Sequence, residues 1–87
     1  MKKLVSVQEV ENEGMISLLG EQVVLFGVNY IYAGKLTGVN ETFVQLENGK
    51  IVYETGDFSE SKWKDAQKVA DVLYVQLAAI EAFARGK

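Results

Sequence analysis

The 87 residues suffice for one small core and leave no room for a second, and a composition that is 48% apolar, with four Phe, four Tyr and one Trp, is too hydrophobic for a disordered tail. The absence of Cys removes disulfides, thiolate chemistry and sulfur-rich zinc sites, and the absence of His removes His-based triads, His metal ligands and His acid–base chemistry near neutrality. Nine Lys and Arg against twelve Asp and Glu give a net charge of −3, opposite in sign to the basic surface that nucleic-acid backbones attract.

The first stretch, MKKLVSVQEVENEG, has two lysines but reaches Gln8, Glu9 and Glu11 without the apolar segment of a secretory signal. No run approaches membrane-spanning length, so the expected compartment is the cytoplasm, that of an infected cell if the gene is from a phage. Within this stretch Lys3 to Glu9 offers Val5 and Val7 to an edge strand. Residues 13–19 (EGMISLL) then predict a short amphipathic helix through Met15, Ile16, Leu18 and Leu19, capped by Asn12 and stopped by Gly20.

Residues 21–55 read as a series of bent strands, punctuated by glycines in a chain without Pro. Glu21 to Val28, Tyr30 to Val39, Thr42 to Glu47 and Lys50 to Thr55 are each rich in Val, Ile, Tyr or Phe. In the second run Tyr30, Tyr32, Gly34, Leu36 and Gly38 share one face and Ile31, Ala33, Lys35 and Thr37 the other, a period of two that predicts a strand. Gly34, in mid-strand, marks a bend or a close backbone approach. Asn48-Gly49 is a strong turn signal, fitting either a two-residue hairpin or a bend within one long strand.

Past Gly56 the texture changes. Asp57 followed by Glu60 resembles a capping box and predicts a helix over 58–68, which would carry Trp63 and the cluster Lys62, Lys64 and Lys68. From 72 to 84 two readings stay open. Val72 to Val75 (VLYV) and Ala79 to Phe83 (AIEAF) fit short strands, while Trp63, Ala66, Ala70, Leu73, Leu77, Ile80 and Ala84 also trace a stripe along one C-terminal helix. The carboxylates are scattered, and no phosphate loop, nucleophile elbow or calcium loop occurs, so the sequence reads as non-catalytic, without metal or cofactor.

Leu18 to Asn48 (LLGEQVVLFGVNYIYAGKLTGVNETFVQLEN) resembles the first motif of Sm-like (LSm) proteins, through Leu18, Gly20, Val23, Gly34, Leu36, Gly38, Val39, Asn40, Leu46 and Asn48. The likeness covers about a third of the chain. Asn40 stands where the family usually has Asp, and Val44 where many members have Asn. The second motif departs further: Val75 and Gln76 align with its Arg-Gly, and Glu54 and Thr55 follow Tyr53 where the bacterial host-factor branch has Lys-His. The resemblance implies a mainly β fold, a small, strongly bent five-stranded antiparallel Sm-like (SH3-like) barrel with short helical segments, assembling into a homo-oligomeric ring; it favours Val72 to Leu77 and Ala79 to Ala84 as the last two strands, with the C-terminal helix as the alternative.

It further implies a function without catalysis, as an RNA-associated regulator that takes single-stranded RNA at the hairpin tip. The candidate contacts are Lys35, Asn40, Glu41, Thr42 and Gln76, with Glu41 as loop lining. Asn40 offers a donor and an acceptor to a base edge, or serves only the turn. Tyr30, Tyr32, Phe43 and Tyr53 are stacking groups or core and subunit packing. The alternative to RNA binding is a ring that acts as a protein-interaction or structural module, and a third reading is a small-molecule-binding barrel with its ligand on Tyr30 or Tyr32.

Overall fold

A computed structural model describes residues 14–87. The edge strand expected over Lys3 to Glu9 and the cap at Asn12 lie outside the described residues. A 3-10 helix, Met15–Leu18, precedes five strands: β1 (Gln22–Gly27), β2 (Ile31–Val39), β3 (Phe43–Glu54), β4 (Asp65–Gln76) and β5 (Ile80–Arg85). All pairings are antiparallel and form one sheet in the order β4-β3-β2-β1-β5. No helix among the described residues is long and apolar enough to cross a membrane.

The mainly β, five-stranded antiparallel architecture is as expected, but the sheet is not closed into a barrel. The 3-10 turn Leu77–Ala79 carries the chain from β4 at one edge to β5 at the other. Among the described residues β4 then pairs only with β3, and β5 only with β1, so these two strands are the edges of the described sheet.

The core follows from strand alternation, which sends successive side chains to opposite faces. On the concave face Leu36, Leu46 and Leu73 stand side by side on β2, β3 and β4, and Val39, Val44 and Val75 form the next row. With Leu18, Val23 and Leu25 these residues make one cluster in which Leu25, Leu36, Val44 and Leu46 are fully buried. On the other face Val24, Ala33 and Val52 are also buried, so the sheet needs cover on that side too.

The bend that gives the sheet two covered faces is written at Asn48-Gly49. Asn48 takes φ 54°, a left-handed conformation that Asn tolerates, and β3 continues through it for 12 residues, so the pair bends one strand rather than joining two. A Cβ on Gly49 would overlap the Cβ of Leu73 on β4, and one on Gly34 would come within 3.1 Å of the Glu47 carbonyl oxygen. The ladder shifts register beside both glycines, between Ala33 and Lys35 and between Gly49 and Lys50.

The helix expected over 58–68 is not formed. Asp57 Oδ1 instead accepts from the Ser59 N–H at 2.9 Å and the Ser59 hydroxyl at 2.8 Å, and the Glu60 N–H donates to the Asp57 carbonyl at 3.0 Å. Spacing suited to a capping box thus closes a tight Asx turn, because from Asp65 onward the backbone is taken by β3, with Glu54 opposite Asp65 and Val52 opposite Ala66. Residues 55–64 form a loop that supplies the missing cover, with Phe58 packed on Phe26 and edge-on to Trp63 at centroid distances of 6.2 and 6.0 Å. The segment 72–84 is extended in β4 and β5 apart from the 3-10 turn, not one helix.

The Ser59 amide and hydroxyl hold the Asp57 carboxyl below its ordinary pKa of 3.8. A lowered folded pKa stabilises the loop fully above pH 3.8 and ceases to do so as pH falls through the folded value. Trp63 fluorescence is therefore expected to lose a component below pH 3.8 that is missing from the acid titration of Asp57→Asn.

Candidate functional site

The β2–β3 connection is closed by Asn40. Its Oδ1 accepts from the Thr42 N–H at 2.7 Å and the Phe43 N–H at 2.8 Å, and its own N–H donates to the Phe43 carbonyl at 3.0 Å. The side-chain oxygen is therefore committed to the turn, and only the amide NH2 is left to meet a ligand. Glu41 and Thr42 are exposed beside it. The Thr42 carbonyl accepts from the Leu77 N–H at 2.9 Å, which fastens the tip to the end of β4.

That fastening brings Gln76 to the tip, opposite Phe43, and puts Tyr74 opposite Gln45. Directly paired residues share a face, so Phe43, Gln45, Tyr74 and Gln76 line the convex side of β3 and β4. Phe43 and Tyr74 meet edge to face at 5.2 Å, and Tyr74 remains 57% exposed, which leaves its ring accessible for stacking. Gln45 Nε2 donates to Thr37 Oγ1 at 3.0 Å, extending the polar row onto β2.

Lys35 lies on the same face but at the far end of the row, opposite Glu47, with 4.0 Å between Nζ and the carboxylate. Four strand positions separate Glu47 from Phe43, roughly 13 Å. Of the five residues singled out from sequence, Asn40, Glu41, Thr42 and Gln76 thus gather at one end of the sheet, and Lys35 does not. Tyr74 is not among the five, since the strand-like run Val72 to Val75 has no legible register against Phe43.

Tyr30 and Tyr53 belong to the opposite end of β2, where with Gly27, Val28, Ile31 and Val52 they line an open groove of about 350 Å³. Tyr32 packs on the core cluster and edge-on to Tyr30 at 6.1 Å. Among the described residues no three acidic side chains come together in a way that could hold a metal ion.

Chemically, the tip and the convex face offer a stacking ring, the side-chain amides of Asn40, Gln45 and Gln76, and hydroxyls, with little free positive charge. This set suits the faces and edges of unpaired bases better than a phosphate backbone. No protein-family model matches the chain, and no curated protein or solved structure was found to be similar to it.

Proposed function

We propose that this chain is a divergent Sm-like protein that closes into a homo-oligomeric ring and serves, without catalysis, as an RNA-associated regulator. The observation that carries the reading is the open sheet with β4 and β5 as its two edges. Among the described residues β4 exposes Val72 and β5 exposes Phe83, so each edge joins backbone groups outside the ladder to an apolar side chain. Pairing β4 of one copy with β5 of the next is heterologous, and such contacts close into a ring when the rotation fits.

RNA is the proposed ligand because Tyr74, Gln76 and the Asn40–Thr42 tip would recur around such a ring, each copy presenting one stacking ring and its amides. A protein-interaction or structural module is the second reading, favoured by the engagement of Asn40 Oδ1 in the turn and the pairing of Lys35 with Glu47.

Light scattering of the purified protein with short uridine-rich or adenine-rich RNA, at low and at higher salt, separates them. The expected result is a discrete multiple of the 9.6 kDa chain that takes up RNA in fixed proportion. Tyr74→Ala is expected to weaken RNA binding about five- to 150-fold, the scale of one lost base stack at about 1–3 kcal/mol, with the oligomer intact. A discrete oligomer indifferent to RNA selects the interaction module, and a monomer overturns the ring.

A further inference from the structure

The loop 55–64 holds a second arrangement that neither the ring nor RNA binding uses. After β5, the Gly86 N–H donates to the Gln22 carbonyl at 2.8 Å, and the next side chain, Lys87, turns into the loop. Its Nζ lies 3.1 Å from the Thr55 carbonyl oxygen, 2.8 Å from that of Asp57 and 3.2 Å from that of Lys62. The same nitrogen sits 4.5 Å from the centre of the Trp63 ring and 5.6 Å from that of Phe58.

A primary ammonium has three N–H donors and no acceptor, and here three carbonyl oxygens stand within hydrogen-bonding distance. The rings supply the remaining wall: an aromatic face attracts a cation, Trp most strongly, and more so where water is displaced. A lysine lying by chance on a surface would keep most of its hydration. This one exchanges it for backbone oxygens drawn from both ends of one loop.

We propose that the loop 55–64 is a binding site for a primary alkylammonium, and that Lys87 occupies it in cis as a latch tying the end of β5 to the loop. The loop packs Phe58 on Phe26 of β1, and β5 is an edge of the described sheet, so the latch ties a loop lying on β1 to an edge strand. The three carbonyls define the selectivity. A quaternary ammonium has no N–H to donate and keeps only the attraction of the rings.

The sole Trp reports on the site directly. In Lys87→Ala, the emission of Trp63 is expected to differ from that of the parent and to return toward it, saturably, on addition of n-butylammonium chloride. Tetramethylammonium chloride at equal ionic strength is expected to bind at least tenfold more weakly, and the parent protein to respond to neither. Lys87→Met, which keeps the length of the side chain without its charge, guards against a folding defect and is expected to behave as Lys87→Ala does. Unchanged Trp63 emission in both variants, or no saturable response to n-butylammonium in either, overturns the latch. Equal affinity for the two cations overturns the role of the carbonyls. None of these outcomes depends on RNA binding or on ring formation.

Discussion

Leu46→Ala is expected to lower the unfolding free energy by about 2–5 kcal/mol, the range for removing a fully buried leucine. Leu46 is 0% exposed and lies between Leu36 on β2 and Leu73 on β4, with Val44 and Val75 in the adjoining row. Collapse into the space left behind is opposed because those neighbours sit on three strands whose register is fixed by the ladder. A domain of this length has only about 4–13 kcal/mol of stability, so the loss takes a large share of it. Urea unfolding of parent and variant at one and the same protein concentration compares them under equal mass action. Ile16→Ala, at a side chain 66% exposed, serves as the comparison and is expected to stay within about 0.5 kcal/mol of the parent. A Leu46→Ala loss below about 1 kcal/mol would contradict the concave core itself.

How far the fold is legible in the sequence depends on how many faces of a strand are constrained. In β2 the period of two holds from Tyr32 to Leu36, but the register shift between Leu36 and Gly38 puts Gly38 opposite Gln45 on the other face and returns Val39 to the side of Leu36, which the alternation read from sequence does not foresee. β3 announces its bend at Asn48-Gly49, but local chemistry does not separate a bend from a hairpin; the contact between Gly49 and Leu73, 24 positions on, decides it. β4 is the hard case. It is an edge strand with register shifts at Gly49/Lys50 and Val52/Glu54, so its burial loses regular alternation and its alanines fall by coincidence at helical spacing.

Asp57 and Glu60 show the same limit at shorter range. An Asx turn and a helix start use the same residue at the same spacing, and the pairing of Asp65 and Ala66 with β3 decides between them. The site is legible to the extent that it is local: the tip Asn40 to Thr42 is contiguous, and its turn chemistry can be read from residue type. Tyr74 joins it only through pairing between strands distant in sequence.

The two edges make the ring reading testable by a complementation of broken interfaces. Val72→Lys puts a charge on β4, where residue 72 is exposed opposite Glu47 and a lysine finds a ready partner within the chain. Phe83→Lys does the same on β5, where the aliphatic stem can still shield Leu25 opposite it. In a homo-oligomer joined β4 to β5, either change spoils every interface, so each variant alone is expected to scatter as a 9.6 kDa monomer.

Mixed in equal amounts, the two retain between them one sound β5, on the Val72→Lys chain, and one sound β4, on the Phe83→Lys chain. One interface can form and its outer ends are both blocked. The mixture is therefore expected to stop at a species of twice the 9.6 kDa chain mass. A self-complementary interface would behave otherwise, because a β4-to-β4 contact would leave the Phe83→Lys variant dimeric on its own. Two monomers that ignore each other, with circular dichroism showing both folded, would mean that the edges of this sheet do not pair between copies.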